Sequence, residues 1–176
     1  MPTADSSGIR PRPGFARGRI RCAPPPGFAA VEEAMPPGGG SLVFRLPGPA
    51  RPVRPLFAEG PGDLRAAAFA PVLTLLLLPA GGLAPLDWLR AEAAGLAALP
   101  GFRVRFLEEC ALPGGPGARA QFTRFAAFRL ERLAAAWSAG PELAVAALEL
   151  PRSRDVAGWA WLADFVASVE VAPPAG

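Results

Sequence analysis

The chain of 176 residues contains no histidine, no lysine, no tyrosine and no asparagine. Without histidine no Ser-His-Asp or Cys-His pair can activate a nucleophile, and without lysine there is neither a Schiff-base amine nor a phosphate-loop lysine. Most acid–base enzymes are thereby excluded. Cysteine occurs twice, at Cys22 and Cys110, too few for a disulfide framework, so both read as reduced, buried thiols of a cytoplasmic protein. Neither the clustered Cys and His of a zinc site nor the closely spaced acids of a calcium loop is present. Glu108 and Glu109 are the one adjacent pair of acids within a strand-like segment, where neighbours point to opposite faces and cannot act together on one substrate. GPGDLR and LPGGPGAR are glycine-rich without a phosphate-binding pattern, so they read as turns. The sequence therefore predicts no catalytic residues, no metal, no cofactor and no enzymatic activity.

What is abundant is arginine, alanine, glycine (20) and proline (23). The missing residue types mostly have AT-rich codons, so a GC-rich genome explains the bias, and regular strand and helix spacing argues against an accidental reading frame. All 18 basic residues are arginine, set against 15 acids for a net charge of +3. The excess sits at the front: residues 1–55 hold eight Arg and three acids, the remainder ten Arg and twelve acids. IRPRPGFARGRIR places five Arg among Pro and Gly, and residues 1–17 read as a disordered arm. Such an arm could touch an acidic partner or nucleic acid, although a merely solvated tail is the plainer reading. The first twenty residues show no apolar core of a secretory signal, and Cys22 follows Arg-Ile-Arg, unlike a lipid-attachment site.

Ala66 to Leu86 carries no charge over twenty-one residues, enough for a membrane-spanning helix, which needs about 20. Pro71, Pro79, Pro85 and the Gly81-Gly82 pair break it, leaving Val72 to Leu78 at the length of a strand. Val72, Thr74, Leu76 and Leu78 then face one way and Leu73, Leu75 and Leu77 the other. Both faces are apolar, which predicts a strand covered on both sides and no membrane insertion. A membrane helix is the alternative, since Pro and Gly do occur in such helices.

Elsewhere GRIRCA reads as an edge strand, SLVFRL (Ser41 to Leu46) as another strand, and Pro47 to Gly62 as irregular. Pro85 to Leu99 reads as a helix with Pro85 in its first turn, Asp87 at its positive end, and Leu86, Leu89, Ala93 and Leu96 as its apolar stripe. GFRVRFLEE alternates as a half-buried strand. Ala118 to Trp137 is ambiguous: Ala and Leu favour a helix, whereas two strands turning near Ala126-Ala127 would make a meander. ELAVAALEL reads as a strand. Asp155 then caps a helix with Trp159, Leu162, Ala163 and Val166 on one face, and SVEV is a short final strand.

A helix ending in LPGF (Leu99 to Phe102), an alternating strand, a glycine-rich turn, long strands, ELAVAALELP, a short amphipathic helix with Phe165 and the ending SVEV together resemble the DcrB-related proteins. Those proteins have the Mog1/PsbP-like fold, and bacterial members include chaperones for type VI secretion effectors. The resemblance spans roughly residues 20–171 and rests on element order, not on a catalytic motif. It implies an α+β protein with a central antiparallel sheet flanked by helices, a domain over 18–171, a tail at 172–176, and a strand pair at Ala118 to Trp137. The proline-rich stretch around Pro47 to Gly62 departs from the family pattern.

Apolar surface is what remains for binding. With Leu73, Leu75 and Leu77 turned inward, Leu76 and Leu78 lie on the opposite sheet face, and the strand assignment is expected to bring Leu107, Gln121 and Phe125 there. That face is either covered by the protein's own helices or is a groove for the apolar helix of a client, as chaperone relatives imply. The expectation is a cytoplasmic, non-enzymatic chaperone or adaptor for a secreted effector, with a homodimer as a further option. The rivals are a PsbP-like structural subunit of a larger assembly and a nucleic-acid-binding protein working through its Arg arm.

Overall fold

The computed structural model describes residues 15–17, 19–31, 40–45, 70–125, 128–151 and 155–173. Among these, β1 (Phe15–Arg17), β2 (Ile20–Cys22), β3 (Ala29–Val31), β4 (Gly40–Arg45) and β5 (Val72–Pro79) precede helix α1 (Pro85–Leu96). Four long strands follow, β6 (Arg103–Leu112), β7 (Gly115–Phe125), β8 (Arg129–Ala139) and β9 (Glu142–Pro151), then helix α2 (Asp155–Ser168) and β10 (Glu170–Val171). Seven strands form one sheet in the order β3-β4-β5-β9-β8-β7-β6, with every pairing antiparallel. A second, three-stranded sheet has the order β1-β2-β10.

The prolines act on β5 as the sequence predicts: the strand ends at Pro79 and the chain turns through Gly81 and Gly82, both at positive φ, before α1. Leu73, Leu75 and Leu77 are buried while Leu76 and Leu78 are half-buried, so β5 alternates as a strand does but is sealed on one face only, not covered on both as its apolar run implies. Among the described residues no helix is long and apolar enough to cross a membrane. From β6 to β9 the chain is a meander. The β8–β9 turn uses Gly140 at φ 66°, the sign a two-residue type II′ hairpin requires at its first central position, followed by Pro141.

Ala118 to Trp137 is β7 and β8, so long-range pairing overrides the local helical preference of its alanines. Those alanines keep the sheet thin. Ala118, Ala120, Ala134 and Ala136 are wholly buried beneath α1, whose Leu89 is also wholly buried, with Leu86, Ala93 and Leu96 around it as the helical stripe predicts. On the other face α2 buries Leu162, Phe165 and Val166 against Leu133, Leu148 and Leu150. A Cβ built on Gly158 would lie 2.9 Å from side-chain carbons of both Leu133 and Leu150, so glycine sets how closely α2 approaches. The architecture is an α+β sandwich, a central antiparallel sheet with a helix on each face.

Several expectations need correction. The segment GRIRCA is not an edge strand: Ile20–Cys22 is the middle of the small sheet, and Ile20 and Cys22 are buried in the α2-side core. Strand β1 lies inside the range read as a disordered arm, because Phe15–Arg17 can pair with β2; residues 1–14 lie outside the described residues. At the start of the stretch expected to be the tail, the Ala172 N–H donates to the Arg19 carbonyl at 2.8 Å. Ala163 is exposed, its expected place in the α2 core taken by Phe165. Cys110, read as buried, is half-buried on the outermost strand. The stretch Pro47 to Gly62 and the turn at Ala126-Ala127 lie outside the described residues.

Candidate functional site

Cross-strand partners share a sheet face, so the register assigns each candidate residue a side. One row runs Leu107–Ala120–Ala134–Ala147–Thr74–Val43 across six strands, on the α1 face. The next row, Phe106–Gln121–Leu133–Leu148–Leu73–Phe44, is on the α2 face. Leu76, Leu78 and Leu107 therefore share the α1 face as expected. Gln121 does not. It is buried on the α2 side, where its Nε2 donates to Glu131 Oε2 at 3.0 Å. Phe125 follows Gln121 by an even step and pairs with Arg129 at the end of β7, 54% exposed. The partner of Leu107 is Ala120, and Gln121 pairs with Phe106, which puts Gln121 and Leu107 on opposite faces.

Leu107 is also separated from Leu76 and Leu78. Four strand spacings lie between β6 and β5, about 19 Å, and α1 covers the strands between, packing on β6, β7 and β8. What the fold does gather is a local strip on β4 and β5, in which Val43, Val72, Thr74, Leu76 and Leu78 are all half-buried on the α1 face. The opposite face of the same strands is sealed, with Leu42, Phe44, Leu73 and Leu75 each at 3% exposure or less. Val43, Val72 and Thr74 of this strip are not among the site residues the sequence singles out, although the alternation of β5 gives the facing of Val72 and Thr74 and that of SLVFRL places Val43 opposite Leu42 and Phe44.

Charges mark the border of this strip. Arg132 on β8 donates through Nη2 to Glu92 Oε1 of α1 at 2.6 Å and lies 3.4 Å from Glu149 Oε1 of β9. Arg124 on β7 completes the network at 3.1 Å from Glu149 Oε2. Two arginines and two glutamates balance. Beside them Leu96, Leu99, Phe102 and Phe122 help to line a recess of about 340 Å³. On the α2 side, burial pushes the Cys22 thiol up from 9.0 to about 11. Burial also raises Cys110, with Arg119 opposing the shift and Glu108 adding to it. Both thiols are thus protonated near neutral pH, when only a thiolate is a strong nucleophile. Among the described residues no three His, Cys, Asp or Glu side chains are grouped to hold a metal ion.

No protein-family model matches the chain, and no curated protein matches its sequence. Solved structures do match its fold. The Ran-binding protein Mog1p of Saccharomyces cerevisiae aligns with a TM-score of 0.58 at 14% identity, covering 88% of this chain and 90% of Mog1p. Cyanobacterial PsbP (CyanoP) from Synechocystis aligns with a TM-score of 0.57 at 13% identity, covering 97% of this chain and 98% of that one. LpqN of Mycobacterium tuberculosis, involved in cell envelope biogenesis, aligns at 0.55 and 14% identity, covering 93% of this chain and 88% of LpqN. At these identities the likeness establishes the Mog1/PsbP-like fold.

Proposed function

We propose that this protein is a non-catalytic binding protein, a chaperone or adaptor that holds an apolar helix of a secreted effector along the β4–β5 strip beside α1. The observation that carries this reading is the asymmetry of β5: Leu73 and Leu75 are sealed at 0% and 1% exposure, while Leu76 and Leu78 are only half-buried on a face that is apolar apart from Thr74. A helix laid there would gain affinity from apolar burial at roughly 25 cal/mol per Å². The absence of His and Lys and the protonated thiols support a non-enzymatic role. Mog1p, with the same fold, is a Ran-binding protein, which supports a protein as partner. The element order shared with DcrB-related proteins supports an effector chaperone acting in the cytoplasm. The test is co-purification of the chain with the product of an adjacent gene, comparing wild type with Leu78→Asp. A folded variant that loses the partner by tenfold or more supports the reading; a folded variant with unchanged capture removes the strip from it.

A further inference from the structure

Four large hydrophobic residues are exposed among the described residues, and three of them, Leu99 (37%), Val104 (47%) and Phe125 (54%), lie at one end of the seven-stranded sheet. The α1–β6 turn and the end of β7 are joined there. The Phe125 N–H donates to the Pro100 carbonyl at 2.8 Å, and a Cβ on Gly101 would lie 3.0 Å from the Phe125 Cβ. The same rim carries three arginines. Arg103 and Arg105 flank Val104, and Arg129 is the cross-strand partner of Phe125. None of the three has an ion-pair or side-chain hydrogen-bond partner among the described residues. The described carboxylates nearby do not neutralise them: Glu131 is 1% exposed, and Glu92 and Glu149 are engaged by Arg132 and Arg124.

We propose that this rim is a peripheral docking surface for an anionic phospholipid membrane, with Phe125, Val104 and Leu99 entering the headgroup boundary while Arg103, Arg105 and Arg129 meet lipid phosphates. Basic side chains interleaved with exposed apolar ones are what such an interface attracts. The placement favours a plane over a bound peptide. Val104 lies on the α1 face by register and Phe125 on the α2 face, so a peptide in a groove on either face would reach only part of the set. A flat surface laid across the strand ends is open to side chains of both faces at once. Leu99 and Val104 also argue against nucleic acid, because among the exposed large apolar side chains described at the rim only Phe125 offers a ring on which a base could stack.

The test is co-sedimentation of the full chain with vesicles of phosphatidylglycerol and phosphatidylcholine, compared with vesicles of phosphatidylcholine alone. Binding is expected only to the anionic vesicles and is expected to be released at about 1 M salt. The triple variant Arg103→Gln, Arg105→Gln, Arg129→Gln, which keeps the N-terminal arm intact, should bind about a hundredfold more weakly. Phe125→Ser should lose roughly tenfold, since it withdraws one large apolar side chain. All these side chains are surface groups, and unchanged thermal melting verifies the fold of each variant. Equal binding to both vesicle types, or a triple variant that binds like wild type, overturns the proposal. So does failure on vesicles combined with arginine-dependent binding of a synthetic Asp/Leu helical peptide or a single-stranded oligonucleotide, which would assign the rim to that partner instead.

Discussion

Arg132 and Glu92 meet at 2.6 Å, tying the centre of the meander to the helix that covers it. Both side chains are mostly buried, at 19% and 14% exposure, and one oxygen of Glu92 and the Nε of Arg132 are buried without a hydrogen-bond partner. The pair therefore orients α1 more than it stabilises the fold, because desolvation offsets much of the attraction between buried charges.

Removing one partner alone should expose that imbalance. Glu92→Gln is expected to destabilise the protein by about 2–4 kcal/mol, since Arg132 would keep only the longer contact to Glu149. Replacing both, Glu92→Leu with Arg132→Leu, should cost clearly less than the single change. Urea denaturation of the three proteins measures both quantities. A double variant less stable than Glu92→Gln would show the pair to be strongly net stabilising.

Two glycines in helices should respond to alanine with opposite sign. Gly158→Ala drives a Cβ to 2.9 Å from Leu133 and Leu150 and should destabilise by about 1–3 kcal/mol. Gly95→Ala meets nothing within 4 Å and should stabilise by roughly 0.5–1 kcal/mol through helix propensity alone. Thermal melting of the two variants reads the difference directly.

The buried thiol of Cys22 predicts an alkaline dependence. Its folded pKa of about 11 exceeds the ordinary 9.0, so the unfolded chain releases its proton first as pH rises. Stability from this group is complete below pH 9 and declines between 9 and 11. Cys22→Ala should flatten the slope of unfolding free energy against pH in that window. An unaltered slope would mean that the thiol does not ionise on unfolding.

Much of this fold was legible in the sequence because its signals are local. Prolines delimit β5, period-two alternation gives its faces, and Pro85, Asp87 and the Leu86–Leu89–Ala93 stripe define α1. The Ala118 to Trp137 strands were not locally legible, since alanine carries helix propensity and only pairing with β6 and β9 makes them strands. The site was legible for Leu76 and Leu78, whose facing follows from one strand. Gln121 and Phe125 lie on the other side because cross-strand register depends on the length of the β6–β7 turn, and a slip of one residue exchanges the faces.

The central claim is that a client helix lies on the β4–β5 strip and nowhere else on the sheet. Methyl NMR of the full chain during titration with a synthetic apolar helical peptide from the product of an adjacent gene addresses it most directly. The expected result is shifts concentrated in the methyl groups of Val43, Val72, Leu76 and Leu78, with Leu107 and the sealed Leu73 and Leu75 unmoved. Shifts centred on Leu107 or Leu99 with Leu76 and Leu78 silent, or no shifts at a peptide concentration saturating by any other probe, would contradict it.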